Sequence, residues 1–337
     1  MKRLLHILFL ILIVVTNANA QISDDLLKRA NEGDANAMFN IGVMYDLGQG
    51  VAQDYSKAME WYKKAADKGN SKAMFNIGVM CNLGHGVAQD HSKAMEWYLK
   101  AADTGHASAM FNIGFLYKEG QGVAQDYSKA MEWYKKAADK GHASAMYNIG
   151  FLYKEGQGVA QDYSKAMEWY HKAADKGHAD AMNELGIAYY YGHGVQQDYA
   201  KAMEWYQKAS KNGNDWALCN IGELYELGYG VNQDYGKAME WYRKAADINF
   251  NPGIYFLGKM YYDGKGTSQN HDKAFELFKK AAEAPDNPSG DAMNMLSTCY
   301  RFGLGATKDL KKAEYWLKKA QEAGNDKANA IKQLLEF

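Results

Sequence analysis

Histidines recur at fixed positions along this chain, and histidine can serve as a metal ligand or as an acid–base group. His106, His142 and His178 follow one another at intervals of 36 residues, while His85 and His193 lie in Gly-x-Gly segments. Equivalent residues of stacked helical units lie about 10 Å apart, whereas metal ligands must lie about 2 Å from one ion. The histidines are therefore expected to be solvated loop residues, and no metal site is predicted.

Motifs of common catalytic and nucleotide-binding sites are missing. Ser56 directly precedes Lys57, so the Ser-x-x-Lys spacing of penicillin-recognising enzymes does not occur. The sequence contains no Walker loop, no dinucleotide-binding fingerprint and no H-E-x-x-H segment. The Gly-x-Gly segments are interpreted as a backbone device rather than a phosphate cradle. We therefore predict no catalytic residue and no cofactor.

These residues recur because almost the whole chain is a tandem repeat of 36 residues. A period of this length is typical of stacked helical repeats. The copies at 105–140 and 141–176 differ at only two positions, which indicates a recent duplication. The predicted repeats are 33–68, 69–104, 105–140, 141–176, 177–212, 213–248, 249–284 and 288–323, the last two being degenerate. A lead-in helix in 21–32 and a half repeat at 324–337 complete a single predicted domain, 21–337.

Each copy predicts two helices, here called helix A and helix B. In the first copy helix A runs from about Asn36 to Leu47, where Gly48-Gln49-Gly50 ends it because glycine adopts left-handed backbone angles easily. Asp54 is positioned to cap helix B, which runs to about Asp67. The same aspartate recurs as Asp90, Asp126, Asp162, Asp198 and Asp234. The predicted fold class is therefore all-α, an α-solenoid of antiparallel helix pairs.

Helix B carries one apolar stripe, made of Ala58, Trp61, Tyr62 and Ala65. The alanines let the helices approach closely, and the tryptophan is expected to fill the gap beside them. Its analogues are Trp97, Trp133, Trp169, Trp205 and Trp241.

The first copy closely resembles the Sel1-like repeat, a relative of the tetratricopeptide repeat. The residues that carry the resemblance are Ala37, Ile41-Gly42, Tyr45, Gly48-x-Gly50-Val51, Asp54, Lys57-Ala58, Trp61-Tyr62 and Lys64-Ala65-Ala66. The resemblance covers 33–323 and implies a right-handed superhelix that binds protein partners and has no enzymatic activity. Leu277 replaces the tryptophan in the seventh copy and Ser297 a glycine in the eighth, so these two copies are interpreted as caps.

Helix A presents two arcs when its residues are placed at about 100° per residue. Ala37, Met38, Ile41, Gly42, Met44 and Tyr45 form the first arc, which is expected to face helix B and the next copy. The second arc, on the opposite side, differs most between copies and is expected to line a concave groove. Its aromatic members, Phe39, Phe75, Phe111, Phe115, Tyr147, Phe151, Tyr190 and Tyr191, are predicted to contact a partner. Packing along the superhelix is the alternative role for these rings.

A second series on this arc consists of asparagines, which can both donate and accept hydrogen bonds. Asn40, Asn76, Asn112 and Asn148 are predicted to pair with the backbone of an extended peptide, and Asn220 continues the series. Glu184 interrupts it in the fifth copy. The alternative is that each asparagine binds a carbonyl group of its own or the adjacent copy.

The N-terminus predicts export. Lys2 and Arg3 precede an apolar run from Leu4 to Val15, and Ala18-Asn19-Ala20 matches a signal-peptide cleavage site. Residues 1–20 are thus predicted to be removed, so that a periplasmic or secreted chain begins at Gln21. No later segment is apolar for long enough to insert into a membrane.

Composition narrows the class of partner. A net charge of −1 gives no electrostatic footprint for nucleic acid. Three cysteines, Cys81, Cys219 and Cys299, are too few and too far apart for a disulfide in each repeat.

The leading hypothesis is a scaffold or regulator that binds an extended peptide of an envelope or host protein and is itself expected to be a monomer. The alternatives are a binder of peptidoglycan or exported polysaccharide and a β-lactam-hydrolysing or penicillin-binding enzyme.

Overall fold

A computed structural model describes residues 22–285 and 288–325, and within them the chain forms seventeen α-helices and no strand. The predicted signal peptide and most of the C-terminal half repeat lie outside the described residues. Helix α1 (Asp24–Asn31) leads in, as predicted. The A helices are α2 (Ala35–Leu47), α4 (Ser71–Leu83), α6 (Ala107–Glu119), α8 (Ala143–Glu155), α10 (Ala179–Tyr191), α12 (Asp215–Leu227), α14 (Asn251–Asp263) and α16 (Gly290–Phe302). The B helices are α3 (Tyr55–Asp67), α5 (His91–Asp103), α7 (Tyr127–Asp139), α9 (Tyr163–Asp175), α11 (Tyr199–Lys211), α13 (Tyr235–Asp247), α15 (His271–Ala282) and α17 (Leu310–Glu322).

The helices group into two compact units that divide between His142 and Ala143. The first unit holds α1 to α7 and the second holds α8 to α17. Within each unit every A helix packs on the B helix of its own copy, and every B helix packs on the A helix that follows. The repeat boundaries and the single domain predicted from the sequence stay predictions.

The predicted caps of the B helices are confirmed. The Asp54 carboxylate accepts a hydrogen bond from the backbone N–H of Lys57 at 3.0 Å, which satisfies one of the orphan donors of the first turn. Hydrogen bonds at the N-cap and the neighbouring Lys57 lower the pKa of the Asp54 carboxyl. The same bond recurs in the following copies, with Asn270 in place of aspartate in the seventh.

The two glycines of each Gly-x-Gly turn have different roles. The first, such as Gly84, ends helix A in the left-handed conformation with φ 76°. The second, such as Gly86, also has positive φ and lies against the start of the preceding B helix. A Cβ atom on Gly86 would lie 2.8 Å from the backbone carbonyl carbon of Tyr55. Glycine is therefore required there for two successive copies to approach each other.

The large aromatic residue of the core is the tyrosine of helix B, so the role predicted for the tryptophan is wrong. Tyr62 is fully buried, together with Ala58 and Ala65, whereas Trp61 is only half-buried. The Tyr62 ring lies directly on helix A, because a Cβ atom on Gly42 would approach it to 2.5 Å. The Lys64 ammonium covers the Trp61 ring at 4.1 Å from its centroid. The tryptophans therefore form lysine-covered surface positions in the first six copies.

Candidate functional site

The first aromatic series of the second arc packs between helices. Phe75 is 9% exposed, and its ring centroid lies 5.8 Å from Tyr98 of its own copy and 4.7 Å from His106 of the next. Phe111 and Tyr147 are half-buried and have the same two kinds of neighbour. Phe39 contacts Tyr62 in the same way. The structure thus places these rings in the contacts between helices, and their binding to a partner stays a prediction.

The histidines that stack on these rings cap the A helices, so their prediction as solvated loop residues is wrong. The His106 Nδ1 accepts a hydrogen bond from the backbone N–H of Ala109 at 3.3 Å, and His178 does the same for Ala181. Both side chains are half-buried. Burial lowers the pKa of the His106 side chain, and the positive charge of Lys72 lowers it further. The accepting nitrogen must be unprotonated, which is consistent with a lowered pKa.

The asparagine series also contributes to contacts between copies. Asn76 and Asn112 lie near the hydroxyl groups of Tyr62 and Tyr98 in the preceding copy. Burial raises the pKa of both hydroxyls, and the nearby amides act in the opposite direction. Asn220 donates to the side-chain oxygen of Asn183 at 2.9 Å.

The remaining members of the asparagine series differ in their surroundings. Asn40 is exposed and Asn148 is half-buried. Where Glu184 stands in place of asparagine, the Tyr170 hydroxyl is buried with no hydrogen-bond partner among the described residues. Asn220 thus bonds a carbonyl oxygen of the adjacent copy, as the alternative expects, while recognition of a peptide by the series stays a prediction.

The middle position of the second arc, equivalent to Val43, differs in exposure between copies. Phe115 and Phe151 are half-buried, whereas Glu223 and Lys259 at the same repeat position are exposed. Burial of part of the side chain and the charge of Glu226 raise the pKa of the Glu223 carboxyl. This position is therefore charged in the sixth and seventh copies, whereas the eighth copy carries the half-buried Thr298.

The predicted pair Tyr190 and Tyr191 belongs to a larger surface cluster in the second unit. This tyrosine cluster consists of Tyr163, Tyr190, Tyr191, Tyr199 and Tyr229 with His193. Tyr190 lies 4.7 Å from Tyr191 and 5.4 Å from Tyr199, measured between ring centroids. Tyr229 stacks on Tyr199 at 4.6 Å. The Tyr191 side chain is 60% exposed and that of Tyr229 37%, so the cluster offers several rings to solvent.

Sequence reasoning missed Tyr163, His193, Tyr199 and Tyr229 as parts of this cluster. They come from two kinds of position, the first residue of helix B and the middle residue of the Gly-x-Gly turn in the next copy. The same contact brings His85 onto Tyr55 at 4.6 Å in the first unit. The signal that was available is the joint appearance of aromatic residues at these two positions in adjacent copies.

The buried cysteines show no sign of reactivity. Cys81, Cys219 and Cys299 are free thiols, and all three are buried. Burial raises the pKa of the Cys219 thiol to about 12 and that of Cys299 to about 11, so both stay protonated at neutral pH.

Neither a metal site nor a membrane span is found in the part of the chain that the structure covers. No three His, Cys, Asp or Glu side chains in 22–285 and 288–325 are close enough together to hold a metal ion. Across the same residues, no helix combines the length and the apolar character needed to cross a bilayer.

Comparison with known families decides the identity of the repeat. A model of the Sel1 repeat matches eight consecutive segments, 35–70, 71–106, 107–142, 143–178, 179–214, 217–250, 252–286 and 290–325. This chain belongs to the Sel1 repeat family. The matched segments begin at or close to the first residue of helix A, and they include the two degenerate Sel1 copies at the C-terminal end.

Solved structures of Sel1 repeat proteins resemble the chain over most of its length. One is a protective antigen present in uropathogenic Escherichia coli strains, with 32% identity and a TM-score of 0.70, over 93% of this chain and 74% of that one. Another is a Sel1 repeat protein from Oxalobacter formigenes, with 31% identity and a TM-score of 0.66, over 73% of this chain and 96% of that one. A search of curated proteins gave no match.

A more distant structure shares only the fold. It is a signal transduction ATPase with a tetratricopeptide repeat sensor from Pyrococcus horikoshii, with 15% identity and a TM-score of 0.54, over 92% of this chain and 50% of that one. The predicted fold class, an all-α repeat solenoid, is confirmed by the Sel1 neighbours. Sel1 repeat proteins are generally non-enzymatic scaffolds that bind protein partners.

Proposed function

We propose that this Sel1 repeat chain is a non-enzymatic scaffold that acts outside the cytoplasm and holds an extended segment of a partner protein against the second arcs of its A helices. The observation that carries the proposal is the tyrosine cluster of the second unit, where Tyr191 is 60% exposed. Large aromatic side chains that contact solvent in the free chain are typical anchors of a protein interface.

A second observation supports the same surface. In the second unit the last residue of helix A is a large, exposed side chain in three copies: Tyr191 at 60%, Leu227 at 42% and Phe302 at 63%. Because this position recurs in every copy, a partner that lies along the ends of the A helices would meet one such residue in several repeats. The half-buried Phe151 lies on the second arc of α8 in the same unit and would extend the contact.

Export is the second part of the proposal. It is supported by the signal-peptide pattern of residues 1–20 and by the relative from uropathogenic Escherichia coli, which is a protective antigen. Mass spectrometry of the chain isolated from its native host, outside the cytoplasm, should give Gln21 as the first residue. An intact Met1 on all of the protein would contradict export by cleavage.

Binding is tested with the full precursor chain expressed in its native host. A photo-crosslinking amino acid at position 191 should form a crosslink to one partner protein, which mass spectrometry can assign to a single extended segment. The matched control carries the same group at position 315, where Tyr315 is 54% exposed on the B helix of the last copy. Equal crosslinking at both positions, or crosslinks at position 191 to unrelated proteins only, would contradict the proposed surface.

Binding of carbohydrate is the second candidate function, and the exposed rings of the tyrosine cluster are the observation that favours it, since sugars also stack on such rings. The tryptophans give it no support, because lysines such as Lys136 cover them at about 4 Å. Titration with peptidoglycan fragments separates the two functions. Binding that is lost in Tyr191→Ala, with no protein crosslink at position 191, would favour the carbohydrate.

A further inference from the structure

One carboxylate next to the tyrosine cluster has no counter-ion in the structure. Glu223 lies on α12, and among the residues that the structure covers it makes no hydrogen bond and no ion pair. The turn that follows α12 carries Tyr229 of the cluster. Burial raises the pKa of the Tyr190 hydroxyl, and the charge of Glu223 adds to this effect, so the carboxylate lies within electrostatic range of the cluster. The nearest equivalent cation in sequence, Lys259 of the next copy, is exposed and lies 3.7 Å from Asp263 of its own helix.

The same unit shows what such a carboxylate and ring can hold. In the next copy Lys265 occupies the turn position that Tyr229 occupies in the cluster. Its ammonium nitrogen lies 2.8 Å from the Glu226 carboxylate and 5.6 Å from the centroid of the Tyr235 ring. An ammonium group between a carboxylate and an aromatic face combines ion pairing with a cation–π interaction.

A second internal pair lies on the other side of the cluster. In the fourth copy Lys154 occupies the position of Tyr190, and its ammonium nitrogen lies 3.0 Å from the carboxylate of Glu184 in the fifth copy. The cluster thus lies between two ammonium–carboxylate pairs supplied by the chain itself. At the cluster, Tyr190 and Tyr229 stand where the neighbouring copies carry Lys154 and Lys265, while Glu223 supplies a carboxylate at a third repeat position.

We propose that Glu223 and the rings of Tyr190, Tyr191 and Tyr229 bind a lysine or arginine side chain presented by an extended segment of the partner protein. The inference rests on the proposed function and adds the chemistry of the partner. The charge is complementary, because an uncompensated carboxylate lies beside electron-rich ring faces. The neighbouring pairs show the same combination of groups, with their carboxylates, Glu184 and Glu226, at other repeat positions than Glu223.

The probe is a fluorescently labelled twelve-residue peptide of glycine, serine and three arginines, and its reference is the same peptide with citrulline in place of arginine. Citrulline has nearly the shape of arginine and no charge, so the pair isolates the contribution of the cation. By fluorescence anisotropy at low ionic strength, the full chain should bind the arginine peptide at least about tenfold more tightly, given the usual strength of such contacts.

Two pairs of variants locate the site. Glu223→Gln should weaken binding of the arginine peptide by about five- to tenfold, whereas Glu204→Gln changes the net charge equally on the exposed face of α11 and should leave binding unchanged. Tyr191→Leu keeps an apolar side chain but loses the aromatic face, and it should weaken binding, while Tyr315→Leu should not. All four positions are exposed, so unchanged melting temperatures are expected.

Equal binding of the arginine and citrulline peptides, equal effects of Glu223→Gln and Glu204→Gln, or no binding to the wild-type chain would each overturn cation recognition. The proposed function fails separately. If the partner segment still crosslinks at position 191 while the arginine peptide does not bind, the scaffold function stands and the chemistry assigned to this site is wrong. If both experiments fail, the surface itself is not the binding surface.

Discussion

A glycine-to-alanine substitution inside a helix is usually stabilising, but the contact between the core tyrosine of helix B and the glycine of helix A predicts the opposite here. In the sixth copy a Cβ atom on Gly222 would lie 2.6 Å from the Cε1 atom of Tyr242. The ring has no room to move, because Tyr242 is 1% exposed, its hydroxyl donates to the Glu226 carboxylate at 2.9 Å, and Phe256 stacks on it at 5.1 Å. Gly222→Ala should therefore force helix A and helix B apart.

The expected magnitude follows from two opposing effects. Alanine in place of glycine inside a helix gains about 1 kcal/mol of helix propensity. Overpacking of a well-packed core costs about 1–3 kcal/mol, and more where neighbours cannot yield. Since the Tyr242 ring is held on three sides, we expect a net decrease of about 2 kcal/mol in the free energy of unfolding. Urea unfolding followed by circular dichroism measures it, and amide hydrogen exchange should show the loss concentrated in α12, α13 and their neighbours.

The same copy contains the matched control. Gly236 lies in the first turn of α13, where a Cβ atom would meet only the side chain of Asp234, at 3.3 Å, and where the preceding copy already carries Ala200. Gly236→Ala should stabilise the chain by about 0.5 kcal/mol. A stabilising effect of both substitutions would refute the packing argument.

The eighth copy suggests a rescue of the same substitution. There Ser297 occupies the glycine position and Leu317 replaces the tyrosine. Adding Tyr242→Leu to Gly222→Ala should therefore cost clearly less than the sum of the two single changes.

Other parts of the structure give three further predictions. His106→Asn keeps a helix cap of the kind found at Asn70. Because burial lowers the pKa of His106 in the folded chain, the stability of the wild-type chain should fall as the pH drops from about 6.5 through that lowered pKa. In urea titrations the variant should lose this part of the pH dependence. Trp133→Ala should reduce the free energy of unfolding by less than about 2 kcal/mol, below the 3–5 kcal/mol of an emptied aromatic core site, since the ring is half-buried under Lys136; a loss of the larger size would place it in the core. The three cysteine thiols should react with a thiol-specific reagent only after denaturation, because all are buried, and reaction at native-state rates typical of exposed thiols would contradict this.

Local signals predicted the helices and their ends well. Asp54 and the Gly-x-Gly turn each determine a helix end through backbone hydrogen bonding and φ angles that depend on one or two residues, so the sequence alone locates them. The choice between Trp61 and Tyr62 as the core residue failed for a geometric reason. Adjacent helical residues differ by about 100°, and both lie within the width of an apolar stripe. Only the packing of helix A determines which of the two rings is covered.

The candidate site was predictable only in part, because its members meet through contacts between copies. Tyr190 and Tyr191 follow from the second arc of one helix, but Tyr199 and Tyr229 join them from a B helix and from the turn of the next copy. His106 was missed as a cap because histidine is not among the usual N-cap residues. Alignment with Asp34 in the first copy would have indicated its role.

The close approach of each turn to the preceding B helix has a consequence for how the gene can change in length. Gly86, Gly122, Gly194, Gly230 and Gly266 each lie against a B helix so closely that a Cβ atom would come within 3 Å of its backbone. An inserted or deleted codon in such a turn would separate two neighbours. Recombination that adds or removes a whole repeat, which is 108 nucleotides long, would leave every turn with an equivalent partner. The nearly identical third and fourth copies are suited to such an exchange. Alleles of this gene are therefore expected to differ by complete repeats and to encode folded chains of different reach.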